Sequence, residues 1–280
     1  MTREELSMVS WDGFPLVAIE WPGEGGTDAP QDDAPEAIAQ ALLVGWELAQ
    51  RAQTSLSVLV IRDRETSPAD EDVDQASEAV WQRVDGWLDR LITDVSARVI
   101  VRTGSPAVEL LDEVKGTEEE ACVLIPESAT RLLEAVPRLV AETSHAIWLR
   151  PRRRDMPIFL FPCASGPTLA PVLSAAVPLT RDLSGRLLLA GAVPSGSTEE
   201  DIEARAMEIG QTLGQFDYRT IAGGVKIEIV PGDEATLLRE LGQQEGVDVV
   251  VWPGIRAADL PWPEVTERAV WLGRRSSANG

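Results

Sequence analysis

Histidine occurs once in this chain of 280 residues and cysteine twice, and lysine is confined to Lys115 and Lys226. Each scarcity removes a class of chemistry. With His145 as the only imidazole, a histidine-rich metal site is impossible, and a Ser-His-Asp hydrolase would have to use that one ring. Cys122 sits in an apolar run and Cys163 follows another, without a pairing pattern or metal-type spacing, so two reduced thiols are expected rather than a disulfide. Positive charge is short as well. Against 46 Asp and Glu stand 25 Lys and Arg, for a net charge of −21, a balance that repels nucleic acid. No stretch approaches the roughly 18 apolar residues of a membrane span, and the opening MTREELSMVSWDG is acidic where a secretory signal needs an apolar core. The expectation is a cytoplasmic protein with no membrane insertion and no nucleic-acid partner.

The hydrophobic share of 44% and charged share of 25% are those of a folded globular protein. The length suits about two domains, each able to bury a core. The acidic, lysine-poor surface fits either a salt-rich cytoplasm, where surface carboxylates hold water, or a GC-rich genome.

Above all, the chain repeats itself. Ala97 to Glu113 (ARVIVRTGSPAVELLDE) returns as Val225 to Leu241 (VKIEIVPGDEATLLREL), Ala121 to Pro126 (ACVLIP) returns near Asp248 to Pro253 (DVVVWP), and Ile147 to Arg150 (IWLR) returns as Val270 to Gly273 (VWLG). The offsets between Gly104 and Gly232, Pro126 and Pro253, and Trp148 and Trp271 are 128, 127 and 123 positions. A repeat of that length is a whole domain and not a solenoid unit. Two tandem domains are expected, over 1–150 and 156–275, joined by the arginine-rich Arg150 to Asp155. That linker is short enough for close packing.

Apolar runs and helical periodicity give the same order of elements twice. The first half reads as strand Pro15 to Trp21, helix Pro35 to Gln53, strand Ser55 to Ile61, helix Asp70 to Thr93, strand Ala97 to Arg102 and helix Pro106 to Lys115. Strand Ala121 to Pro126, helix Thr130 to Glu142 and strand Ala146 to Leu149 complete it. The second half reads as strand Pro157 to Pro162, a helix around Leu169 to Leu179, strand Arg186 to Val193, helix Thr198 to Leu213 and strand Val225 to Val230. Helix Asp233 to Gly242, strand Val247 to Trp252, a short helix near Pro263 to Arg268 and strand Ala269 to Leu272 end it. Continuous Val, Ile and Leu runs predict mainly parallel five-stranded sheets buried on both faces, hence two tandem Rossmann-like three-layer α/β/α domains. The acidic loop Pro22 to Ala34 reads as an insertion, and Ser276 to Gly280 as a tail.

The order of elements, and TGSPAVELL (Thr103 to Leu111) after the third strand, resemble the universal stress protein family. Gly104, Ser105, Pro106 and Ala107 match the family's loop, and Gly232, Asp233 and Ala235 match it in part. Members that bind ATP carry G-x-x-G, about nine residues, then G and S or T after the fourth strand, where glycines let phosphates approach backbone N–H groups. After Pro126 this chain has Glu127, Ser128, Ala129, Thr130 and Arg131, and after Pro253 only Gly254 is a glycine. Glu20 stands where the family often has an acidic residue after the first strand, and Cys163 stands there in the second half. The resemblance thus implies a stress-response protein with decayed nucleotide sites, no cofactor and no catalysis, acting through a protein partner or small ligand. A nucleotide-binding sensor for ATP or AMP is the alternative. It would use an atypical anion site of Ser165, Gly166, Gly232, Asp233 and Gly254, with weak ATPase activity. The resemblance also implies that the last strands pair as an intramolecular pseudo-dimer anchored by Trp148 and Trp271, open to further homodimer formation. Equally, each tryptophan fills its own core.

Other reactive groups are few. Cys163 in FPCASGP lies at the carboxyl end of a strand, where such sheets place ligands, and supports a third reading, a small-molecule enzyme. His145 opens a strand at the opposite end and reads as structural. The acidic clusters Asp32 and Asp33, Asp70 to Asp74 and Glu118 to Glu120 lack the spacing of a cation loop and read as solvated surface, so no metal is expected. The arginines at 150, 152, 153 and 154, like Arg274 and Arg275, are expected to pair with the protein's own carboxylates.

Overall fold

The computed structural model describes residues 14–21, 33–65, 72–94, 96–117, 121–143, 145–163, 169–242, 246–252 and 269–272. Its described elements fall into two compact units, within Trp11–Arg153 and Arg154–Ser276.

In the first unit, strands β1 (Phe14–Trp21), β2 (Leu56–Asp63), β3 (Ala97–Gly104), β4 (Ala121–Ile125) and β5 (Ala146–Leu149) form a sheet in the order β3-β2-β1-β4-β5. All its neighbours are parallel, with Leu16 opposite both Ser57 and Val123. Helices α1 (Glu36–Ala52) and α2 (Val73–Leu91) make the first two crossovers. Helix α3 (Pro106–Lys115) and the short α4 (Thr130–Leu133) and α5 (Val136–Glu142) make the others. Right-handed crossovers put α1 and α2 on one face and α3 to α5 on the other. Strands covered on both sides are mostly apolar, and every residue of β2 is buried, with Ser57, Arg62 and Asp63 its polar members.

Helix α1 buries Ile38, Leu42, Gly45 and Ala49 at helical spacing. A side chain at Gly45 would come within 2.8 Å of Val17, so glycine sets how closely α1 lies on β1. Gln53 then turns left-handed (φ 54°) and donates its N–H to the last carbonyls of the helix. Asp72 caps α2 by accepting from the N–H groups of Asp74 and Gln75.

In the second unit β6 (Ile158–Cys163), β7 (Arg186–Val193), β8 (Val225–Pro231), β9 (Val249–Trp252) and β10 (Ala269–Leu272) run in the order β10-β9-β6-β7-β8, again parallel. Helices α6 (Leu169–Asp182), α7 (Glu199–Leu213) and α8 (Glu234–Gly242) connect them. Strand for strand this is the topology of the first unit, first strand central and third at the edge. Phe159 and Phe161 of β6 are fully buried at its centre. Both units are α/β folds of the Rossmann-like kind.

Some sequence-based boundaries shift for identifiable reasons. The single helix expected over Thr130 to Glu142 is two, because Pro137, in the first turn of α5, has no N–H to give Leu133 and its ring clashes with that carbonyl. Thr198 lies outside α7 as its cap, in a reciprocal capping box with Asp201. Helix α6 runs past Leu179 to Asp182 with Pro178 inside it. The helix expected near Pro263 to Arg268 lies outside the described residues.

Candidate functional site

In each sheet the chain reverses direction beside the first strand, between β1 and β4 and between β6 and β9. In open α/β sheets the crevice outside the carboxyl ends of those strands is where ligands bind.

In the first unit charged side chains gather at the carboxyl ends of β1 and β2. Glu20, next to last in β1, accepts a hydrogen bond from the Arg131 backbone N–H at 3.0 Å, and its other oxygen lies 3.8 Å from Arg131 Nε. Asp63, the last residue of β2, is 5% exposed and pairs with Nη1 of the same arginine. Its Oδ1 accepts from Glu65 N at 3.0 Å. Arg131 thus spans two carboxylates from the ends of adjacent strands, and an N–H of the first turn of α4, the kind of donor a phosphate needs, is spent on one of them. Glu127, just after β4, pairs with Arg152 at 2.9 Å. Beside this cluster Trp21 stacks on Trp87 with ring centroids 5.8 Å apart, and Arg83 lies 5.7 Å from the centre of the Trp21 ring.

The second unit presents a different arrangement. Cys163, the last residue of β6, is 2% exposed; its thiol donates to the Phe161 carbonyl at 3.6 Å, and its own carbonyl accepts from Arg205 Nη2 at 2.6 Å. Burial pushes the thiol up to about 12, against the opposing pull of Arg205, so it stays protonated at neutral pH. Arg205 reaches there from α7, 6% exposed and paired with Glu208, and its Nε has no hydrogen-bond partner among the described residues. After β8, Gly232 takes φ 137° and donates its N–H to the Val193 carbonyl at 2.7 Å. Asp233 Oδ1 accepts from Thr236 N at 2.8 Å, capping α8. An N–H that an anion would use is therefore satisfied from within.

Of the five residues proposed for a residual anion site, Gly232 and Asp233 flank the start of α8, while Ser165, Gly166 and Gly254 lie outside the described residues. Trp148 is 3% exposed and stands opposite Leu124 in β5; Trp271 stands opposite Val251 in β10. The two hold equivalent places in their own sheets.

His145 Nδ1 accepts from Ala121 N at 3.1 Å, at the amino end of β4. Burial lowers its basicity, and the ring acts as a structural acceptor. Three of the four linker arginines find acidic partners: besides Arg152, Arg153 Nε lies 3.9 Å from Glu47 with its guanidinium over Trp46, and Arg154 Nε lies 3.3 Å from Asp248, whereas Arg150 Nε is buried with no hydrogen-bond partner among the described residues. Arg274 and Arg275 lie outside the described residues. Among the described residues no three His, Cys, Asp or Glu side chains are grouped to hold a metal ion, and no helix is long and apolar enough to cross a membrane.

Sequence reasoning found Glu20 but missed its partner Arg131 and Asp63, which shares that arginine. The signal for Asp63 was present: a carboxylate ending the buried run LSVLVIRD needs a cation.

No protein-family model matches the chain, and no curated protein matches it in sequence. Solved structures do resemble it. A universal stress protein from Archaeoglobus fulgidus superposes with a TM-score of 0.58 at 10% identity, over 94% of this chain and 97% of the other. A candidate universal stress protein from Pseudomonas aeruginosa gives 0.57 at 16% identity, over 94% of each chain. A protein of unknown function from the same organism gives 0.58 at 15% identity, over 94% and 93%. At such identities the likeness is one of fold, and it extends along nearly the whole chain.

Proposed function

We propose that the chain is a tandem universal-stress-protein-like regulatory protein whose nucleotide sites have been lost and which acts by binding a partner, without catalysis. The observation that carries this reading is the Glu20–Arg131–Asp63 cluster. A guanidinium and two carboxylates gather at the carboxyl ends of β1 and β2, the end of the sheet that a triphosphate would approach, and this supports the reading. A polyphosphate would have to break a half-buried ion-pair network and then face uncompensated carboxylates. The likeness of both units to universal stress proteins supports a stress-related role, and the acidic surface suits a cytoplasmic setting. Thermal unfolding in the presence of ATP, AMP or a cyclic nucleotide tests the loss. A bound nucleotide at a hundred times its dissociation constant would add about 2.7 kcal/mol; with the sites lost, an unchanged melting temperature is the expected result. A rise of several degrees with any of them contradicts the proposal.

A second reading places an atypical nucleotide site in the second unit, and the observation favouring it is Arg205, a buried cation with an unmatched Nε at the carboxyl end of β6. On this reading Arg205→Ala abolishes nucleotide binding, and Gly232→Val weakens it. Nucleotide released from the denatured purified protein would favour it. The enzyme reading built on Cys163 gains nothing from a thiol held protonated beneath the surface.

A further inference from the structure

Away from either crevice, the first unit carries a cavity of about 560 Å³ on the face of the sheet covered by α3. This is within the size range of small-molecule sites. Its floor follows from the register. Leu16, Ser57 and Arg98 stand side by side across β1, β2 and β3, and alternation along β3 brings Ile100 and Arg102 to the same face. Phe14 extends the apolar floor, and the last turn of α3 with the residues after it, Asp112, Glu113, Gly116 and Thr117, forms the opposite wall.

The charges of this cavity are sorted. Arg102 Nη2 is bonded to Glu113 Oε2 at 3.0 Å, so that pair satisfies itself. Arg98 and Asp112 are not drawn to an opposite charge by any hydrogen bond or ion pair among the described residues. One cation therefore stands at the β3 side and one anion at the α3 side, where the carboxyl end of the helix adds its partial negative charge. Phe14, Leu16 and Ile100 supply the apolar part of the same lining. A simple anion would be repelled by the α3 wall, and a simple cation by Arg98.

We propose that this cavity binds a small zwitterion with an apolar body, the chemistry of an apolar α-amino acid. The carboxylate meets Arg98, the ammonium meets Asp112 and the end of α3, and the side chain lies on Phe14, Leu16 and Ile100. The site is independent of the nucleotide question, since it lies on a sheet face and not at the carboxyl ends of the strands.

Isothermal titration of the full chain with L-phenylalanine and L-leucine tests it, alongside 3-phenylpropionate and phenethylamine, which each keep only one head group. At least one amino acid should bind, and both one-headed analogues should bind about tenfold or more weakly, as loss of a charge-assisted bond implies. Arg98→Ala and Asp112→Ala, both at exposed positions where folding is spared, should each weaken binding by about tenfold or more. Arg186→Ala, at the start of β7 in the other unit, should leave it unchanged. Absence of binding by both amino acids at millimolar concentration overturns the proposal. So does equal binding of an analogue, or an affinity indifferent to Arg98 and Asp112.

Discussion

At the scale of single residues, the account rests on Arg131. Its guanidinium is 42% exposed while its partner Asp63 is 5% exposed, so the arginine neutralises a carboxylate that has little access to water. Arg131→Ala should cost about 2 kcal/mol in urea unfolding, below the 3–5 typical of a fully buried pair because water reaches the cation. Asp63→Asn in the same background should recover part of that loss, and a negligible loss in the single variant would show that the cluster holds nothing. His145 gives a pH signature. Burial sets its folded pKa below the unfolded value, so the unfolded chain takes up the proton first as pH falls, and stability drops from about pH 6.5 downward until the folded ring also titrates. As the only histidine, it is the one side chain whose ordinary pKa lies between about pH 5 and 8. His145→Gln should flatten the stability profile between about pH 6.5 and 5, checked by urea unfolding at a series of pH values. Legibility at this scale was uneven. Glu20 and the linker arginines stood out by position and contrast, but the Asp63 and Arg131 pairing joins positions far apart in the chain and depends on two strand ends being adjacent, which no local pattern carries.

At the scale of elements, composition and period carried most of the fold, since β2 and β7 are mostly apolar runs and the helices show one buried stripe each. What escaped was decided by backbone chemistry. The break between α4 and α5 depends on which side of Pro137 the chain finds other partners for its carbonyls, and both outcomes fit the same apolar spacing. Caps were clearer. Thr198→Ala removes a side-chain acceptor from the first turn of α7 and breaks the capping box with Asp201, so a loss of about 1 kcal/mol is expected by chemical denaturation. Gly232 is more constrained. At φ 137° a Cβ there would lie 2.9 Å from Thr236 Cβ, so Gly232→Ala should destabilise the protein by about 1–3 kcal/mol. A neutral substitution would mean that the turn between β8 and α8 is not held as described.

At the scale of the whole molecule, the duplication was legible because 128 positions separate matched glycines, and both sheets show the same strand order. The site was not, because function in this fold resides in loops that vary independently of it. A net charge of −21 implies self-repulsion that salt relieves. The melting temperature should therefore rise with sodium chloride from low to molar concentration, and a flat or falling curve would mean that the carboxylates are already neutralised within the structure. The central claim is that the chain keeps the doubled architecture but not a place for a triphosphate. Isothermal titration of ATP with magnesium into the intact chain addresses it directly. Heats no larger than dilution are predicted, whereas a saturable isotherm with micromolar affinity would contradict the account.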